Sequence, residues 1–253
     1  MMYFDLEKQE RDAAIGYLLS SILHARKTCG IPSNEKTFDE DVNIYLAHLL
    51  FAFLLPDYQQ LIGRYLSLNA TDLMDAVEKQ EDKVVRYFIY KVNADYLLVH
   101  LGIFNDLTTA HPRHFQKSEK QFIELGQTYY DHASQYNHHI YRKHTAVGDV
   151  LEKLSSHFED YRKILHAMRE EFFHLAKRME SEGAGRYGLP KVVKRIELEH
   201  RQNEFLDVYG EWLRTKSRDL AMKLVHLAGE IRKLDPAFGF NSDSLGGLEN
   251  GGK

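Results

Sequence analysis

The sequence is poor in the features that mark exported and membrane-spanning proteins. It holds one cysteine, Cys29, so no intramolecular disulfide is possible, which is typical of a reducing compartment. Its first residues, Met-Met-Tyr-Phe-Asp-Leu-Glu-Lys, lack the basic-then-apolar pattern of a secretion signal. The longest apolar stretch, residues 44–55, is too short for a membrane-spanning helix, which needs about 20 residues. We therefore expect a cytoplasmic protein with no export and no membrane span.

Proline and strand-forming patterns are equally scarce. Proline disrupts the interior of a helix, and only five prolines occur among 253 residues, which favours long helices. No sustained alternation of apolar and polar residues indicates a strand. The prolines stand where helices are expected to start or stop, at Pro32, Pro56, Pro112, Pro190 and Pro236. The sequence therefore predicts an all-α fold.

The charge balance narrows the class of partner. Hydrophobic residues make up 43% and charged residues 28%, which are ordinary proportions for a globular protein. The formal net charge is -4, whereas nucleic-acid-binding proteins usually present a basic face. We therefore do not expect nucleic-acid binding. The long helical seams described below lead us to expect a protein partner or self-association.

Helical periodicity and breaker residues divide the chain into three predicted parts. Residues 1–146 are predicted to form a helical bundle, with one helix opening at the capping box that begins at Ser118. Residues 147–235 are predicted to form two long helices joined by the glycine-rich loop 183–188. Residues 236–253 hold five glycines and few apolar residues, so we expect a disordered tail.

An apolar heptad pattern predicts how the two long helices pair. If the chain folds back at the glycine loop, the matching pattern in the second helix places Leu165 opposite Leu206. Glu199 and Asn203 then fall at seam positions, where buried polar groups could fix the register or receive a partner. The pattern predicts an elongated helical bundle with a long antiparallel coiled-coil-like hairpin. Its first helix carries the heptad residues Val147, Leu151, Leu154, Phe158, Tyr161, Leu165, Met168, Phe172, Leu175 and Met179.

Histidines are numerous, and some have the spacing of metal ligands. The chain has 14 histidines, and helical bundles hold iron or manganese with Glu-x-x-His pairs. Two such pairs occur, Glu171 with His174 and Glu197 with His200. With 37 acidic residues in the chain, this number of pairs is expected by chance. The predicted hairpin also puts the two pairs on opposite flanks, so we assign no metal ligand and expect no cofactor.

Two histidines differ from the others because apolar residues flank them on both sides. We expect His48 and His100 to be mostly buried, as core histidines whose ring nitrogens have partners. The alternative interpretation is that they are ligands or proton-handling residues inside the bundle. The stretch 129–144 is rich in tyrosine and histidine and could form a haem or nucleotide surface. We interpret it instead as an amphipathic helix with solvated histidines.

No motif of a known catalytic type stands out. Residues 183–188 match the dinucleotide fingerprint Gly-x-Gly-x-x-Gly, but that loop must follow a β-strand and here follows a predicted helix. Walker and Gly-x-Ser-x-Gly motifs do not occur. The leading interpretation is a non-catalytic helical interaction, scaffold or regulatory protein. The alternative is a metal- or cofactor-binding helical bundle that uses buried histidines.

Overall fold

The all-α prediction is confirmed for the part of the chain that can be described. The computed structural model describes residues 8–35, 38–105, 107, 118–182, 191–236 and 238–240. All regular structure in these ranges is helical, and no strand occurs in them. None of the helices in the described ranges is both long enough and apolar enough to cross a membrane.

Eleven α-helices occur in the described ranges. The helix Lys83–Val99 continues into a π-helical segment, His100–Phe104, which ends at Asn105 in the left-handed conformation. The helices are α1 (Lys8–Cys29), α2 (Glu40–Phe53), α3 (Pro56–Gly63), α4 (Ala70–Glu78), α5 (Lys83–Val99), α6 (Glu119–Tyr141), α7 (Ala146–Ser156), α8 (Phe158–Ala167), α9 (Arg169–Glu182), α10 (Lys191–Thr215) and α11 (Arg218–Leu234).

Polar side chains fix several helix starts. The predicted capping box is confirmed at α6, where the Ser118 hydroxyl accepts from the Gln121 N–H and the Gln121 side chain accepts from the Ser118 N–H. The Thr145 hydroxyl accepts from the Gly148 N–H at 3.0 Å and caps α7. These caps hold both helices at defined starting points.

Residues 1–190 belong to the first of two compact units, called unit 1, and residues 191–253 belong to the second, called unit 2. In the first unit, α6 and α7 form an antiparallel hairpin, because Ser134 donates to the Gly148 carbonyl and Ser155 donates to the Gln127 carbonyl. The helix α5 packs on α6, and α1 packs on α2 and α8. The α6–α7 hairpin therefore belongs to the packed body of this unit.

The apolar heptad pattern is buried, but within the first unit. Nine of its ten residues are buried, and only Val147 is exposed. The continuous helix predicted there is divided into α7, α8 and α9, with breaks at His157 and Met168. Leu165 packs closely on Gly102. A Cβ atom added at residue 102 would lie 2.7 Å from the Cβ atom of Leu165. The predicted hairpin with the second long helix is therefore not confirmed.

The second unit is built on a different helical pairing. The helices α10 and α11 pack on each other as an antiparallel hairpin around a two-residue turn, with Lys216 in the left-handed conformation. Leu206, which was predicted to face Leu165, is 62% exposed. In α10 the buried face lies about one residue before the predicted seam, because Phe205 is buried and Leu206 is exposed. The buried cluster comprises Phe205, Val208, Trp212, Ala221, Leu224, Leu227, Ala228 and Ile231.

The first residues of the predicted disordered tail pack against this cluster. The Phe238 and Phe240 rings lie 5.5 and 4.8 Å from the Phe205 ring, measured between centroids. The Arg232 guanidinium donates to the backbone carbonyls of both phenylalanines. Residues 241–253 lie outside the described ranges, so their predicted disorder stays a prediction.

Candidate functional site

The two histidines singled out by their apolar surroundings have different environments. His100 is buried as predicted, with its ring stacked 3.8 Å from that of Tyr96 and in edge contact with the Phe104 ring. His48 is exposed, contrary to the prediction, because it lies on the outer face of α2. Its apolar neighbours Ala47 and Leu49 are buried instead. A shared site for these two histidines inside the bundle is therefore not supported.

Of the other candidates from the sequence, several have side chains outside the described part of the structure, and Glu171 has a hydrogen-bond partner. The side chains of Glu199, Asn203 and the Glu197–His200 pair, and the loop 183–188, lie outside the described part of the structure. Glu171, from the other Glu-x-x-His pair, accepts a hydrogen bond from the Tyr17 hydroxyl, which raises the pKa of that tyrosine. This contact joins α9 to α1 and gives Glu171 a structural role.

A cluster of potential metal ligands lies where α6 turns into α7. His138 comes from the last turn of α6, His144 from the connection and Asp149 from the first turn of α7. One ligand atom from each residue lies within 4.8 Å of the others. The Asp149 carboxylate is 3.5 Å from His144 Nδ1 and 3.9 Å from His138 Nε2. It is the only cluster of three such residues found among the described side chains.

The conformation of the connection brings these residues together. Arg142 adopts the left-handed conformation, with φ at 51°, and ends α6. The chain then turns back within three residues to the Thr145 cap. Thr145 also hydrogen-bonds the buried Asn137 of α6, which fastens the connection to both helices. We refer to His138, His144 and Asp149 as the corner cluster.

The position of His138 corrects the expectation that the histidines of this helix are solvated. Both of its ring nitrogens are buried, and neither has a hydrogen-bond partner within the described structure. The ring lies over Gly148, where a Cβ atom would be 2.8 Å from Nδ1. The sequence does not mark Asp149 as a candidate, since no sequence motif relates it to a histidine eleven residues earlier. The sequence signal was the glycine at 148, which permits close approach.

Unit 1 also contains a buried carboxylate that accepts hydrogen bonds from three side chains. Asp95 is fully buried and accepts from the Tyr45 hydroxyl at 2.6 Å, the Tyr130 hydroxyl at 2.8 Å and Lys91 Nζ at 2.6 Å. Burial and the Asp95 charge raise the pKa of Tyr45 and of Tyr130 well above its usual value. Since both carboxylate oxygens have donors, this network holds α2, α5 and α6 together.

A second buried network surrounds the end of α1. The Arg26 guanidinium donates to Asp39 at 2.7 Å and to the Asn43 side chain at 2.6 Å. The Tyr161 hydroxyl donates to the same Asp39 oxygen at 3.3 Å, and the Asn34 N–H donates to the other at 3.0 Å. The charges are paired within the fold, so these residues join α1, α2 and α8.

The two-helix hairpin of unit 2 has flanks of different character. Phe205 and Leu224 point into the seam between α10 and α11. Glu204 and Lys223, one residue before them, form a salt bridge of 3.2 Å, so those two flanks adjoin. Each residue turns an α-helix by about 100°, so the positions one residue after the seam residues lie on the other side of the seam. On that side the two helices again present adjoining flanks. They carry exposed hydrophobic side chains, which we call the apolar flank: Leu206, Leu213, Met222 and Val225.

No family model, curated protein or solved structure matches this chain.

Proposed function

We propose that this chain is a non-catalytic helical interaction protein and that its α10–α11 hairpin binds an amphipathic partner helix. One observation supports this function: the hairpin leaves the apolar flank exposed, whereas Lys223 and Glu204 on its opposite flank are paired in a salt bridge. Leu206 is 62% exposed, Met222 53% and Leu213 48%. Apolar side chains that share one face in this way are typical of a protein-binding surface.

Helix packing provides the physical reason for a helical partner. Two helices bury one seam only, and a small helical unit gains stability when a third helix covers its free apolar side. Leu206 and Leu213 are seven residues apart and lie on one face of α10. Their spacing suits the i and i+7 contacts of a helix in a groove. Gly210 lies between them, and a Cβ atom at that glycine would meet nothing within 4 Å.

Charge favours a partner with acidic borders. Arg218 and Arg232 lie seven residues before and after Val225, so all three share one face of α11. Both arginines are exposed, and Arg232 also donates to the Phe238 and Phe240 carbonyls. A second copy of the same hairpin would bring arginines near arginines, whereas glutamates or aspartates of a different helix would pair with them. We therefore assign the surface to an acidic amphipathic helix.

Site-specific photo-crosslinking in the native cell tests this function. A photoreactive residue replaces Leu206 in one variant and Asp207, which is exposed on another face of the same turn, in the control. We expect the residue at 206, and not the one at 207, to capture a segment with apolar residues at helical spacing and acidic neighbours.

The captured segment, made as a peptide, provides the quantitative test. Its affinity for the purified full chain should fall at least tenfold in Leu206→Asp and in Arg218→Glu, and should stay unchanged in Asp207→Asn. Equal capture at 206 and 207, or equal binding by all variants, would overturn the proposal. Capture of a second copy of this chain would replace the acidic partner with self-association.

A further inference from the structure

The corner cluster combines ligand type and spacing that suit a transition metal. Its potential ligand atoms are two imidazole nitrogens and one carboxylate oxygen, a set that Zn²⁺ accepts and that Mg²⁺ and Ca²⁺ do not prefer. Around tetrahedral zinc, with bonds of about 2.0 Å, neighbouring ligand atoms lie ~3.3 Å apart. The separations of 3.5 Å for His144–Asp149 and 3.9 Å for His138–Asp149 are close to this value. All three ligand atoms lie within 4.8 Å of one another.

An independent observation concerns the His138 ring. Its two nitrogens are buried without hydrogen-bond partners, although a buried polar group without a partner costs free energy. Nε2 points toward Asp149, and the ring occupies the space that a side chain at residue 148 would fill. Coordination of a metal by one nitrogen would satisfy that atom and neutralise part of the adjacent carboxylate charge.

The surrounding structure holds two of the three ligands at defined positions. His138 lies on α6 and Asp149 on α7, and these helices are fastened by the hydrogen bond from Ser134 to the Gly148 carbonyl at 2.9 Å. His144 has an 83% exposed side chain and follows the tight turn at Arg142. It can therefore move toward an ion without disturbing packed residues.

We propose that His138, His144 and Asp149 bind one divalent zinc ion, with the fourth coordination position open to water. Three protein ligands with one open position differ from the closed four-ligand arrangement of purely structural zinc sites. The ion would clamp the α6–α7 corner and present a Lewis-acidic centre to solvent through the exposed His144 side. This site lies in unit 1 and does not depend on the partner surface proposed for unit 2.

Zinc titration of the purified full chain, stripped of metal by a chelator, tests the site. Calorimetry should show saturable binding of one Zn²⁺ per chain, and Co²⁺ should give the visible absorption of a tetrahedral complex. Loss of a ligand should weaken binding by more than the ~10–100-fold that is usual for outer-shell partners. We expect that loss in His138→Ala, His144→Ala and Asp149→Ala. The matched control is His139→Ala, because His139 is the next residue and lies by Lys83 instead.

The variant Gly148→Ala tests whether zinc binding depends on the position of the His138 ring and not only on the presence of the histidines. It retains all three ligands, but its Cβ atom would displace the His138 ring. We expect it to weaken zinc binding at least tenfold while the circular dichroism spectrum stays helical. If His138→Ala fails to fold, His144→Ala decides the outcome, since that side chain is exposed. Binding that is absent in the unmodified chain, or that is equal in His144→Ala and His139→Ala, would overturn the proposal.

Discussion

The Phe158 ring lies directly against the Cα atom of Gly126, and a Cβ atom there would stand 2.5 Å from the ring's Cζ. Because Phe158 is fully buried, the ring has nowhere to move without disturbing α6 and α8. We expect Gly126→Ala to lower the free energy of unfolding by about 1–3 kcal/mol, the usual cost of overpacking a core.

The matched control for this prediction is Gly16→Ala. Gly16 is an exposed glycine within α1, and a Cβ atom there would meet nothing within 4 Å. Alanine in such a helix interior should stabilise the protein by about 0.5–1 kcal/mol. Urea unfolding followed by circular dichroism measures both variants. Equal effects in the two would show that the Phe158 contact does not restrict residue 126.

Replacing Arg26 by methionine would leave Asp39 charged and without its principal cation. Both side chains are buried, and loss of one partner from such a pair typically costs about 3–5 kcal/mol. We expect a loss of this size in Arg26→Met and a smaller additional loss when Asp39→Asn is combined with it. Arg11→Met breaks a more exposed pair with Asp12 and should cost about 0–1 kcal/mol. Chemical denaturation of the unmodified chain, Arg26→Met, Asp39→Asn and the double variant measures the coupling, with Arg11→Met as the control.

Alkaline pH should unfold the first unit through its buried tyrosines. Burial raises the pKa of Tyr87 and of Tyr129 to about 12, and it raises that of Tyr45 and Tyr130 further. A raised folded-state pKa means that the stabilisation is complete below the unfolded value near 10 and is lost as pH rises toward 12 and above.

Absorbance at 295 nm and circular dichroism, recorded together from pH 8 to 13, measure this behaviour. The exposed tyrosines should ionise first, and the buried ones should ionise together with the loss of helix. Ionisation of all 15 tyrosines in one step near pH 10, with the helix intact, would contradict the buried network.

Unit 2 offers its own fluorescence probe, because Trp212 is the only tryptophan and lies in the α10–α11 cluster. Leu224 is fully buried in that cluster. We expect Leu224→Ala to destabilise the hairpin by about 2–5 kcal/mol and to shift the Trp212 emission to longer wavelength at lower urea concentration. Leu206→Ala, at an exposed position, should change stability by no more than about 0.5 kcal/mol. If both variants shifted the transition equally, the assignment of the seam would be wrong.

Sequence patterns located the apolar stripe of α7–α9 but not its partner. Periodicity shows which residues of a helix avoid water, and nine of ten were found buried. It does not show which neighbour covers them, and here the cover comes from other helices of the first unit. In α10 the predicted seam itself was wrong. The register chosen to match Leu165 placed Gly210 in the seam and Trp212 outside it, whereas Trp212 is buried in the structure. The aromatic residues Phe205 and Trp212 were the stronger signal.

The candidate sites show the same limit for polar residues. The apolar neighbours of His48 and His100 look alike in sequence, yet only His100 is buried, since α2 exposes one position per turn. The corner cluster joins residues from two helices and a turn. The sequence spacing of its residues therefore does not match the i, i+3 or i, i+4 spacing of metal ligands on a single helix. Asp95 and Arg26 were missed because a single buried charge has no periodic pattern.

The Asp95 network restricts how this sequence can change over time. Tyr45 on α2 and Tyr130 on α6 donate to the same carboxylate oxygen. Rotation of either helix by one residue would therefore withdraw a hydroxyl from a fully buried charge. Alternative packings of these helices therefore have a higher free energy than the native packing. Loss of Asp95 would leave both hydroxyls without their acceptor, whereas loss of one tyrosine hydroxyl would leave the buried carboxylate with one donor fewer. Descendants of this chain that keep both tyrosines should therefore keep Asp95.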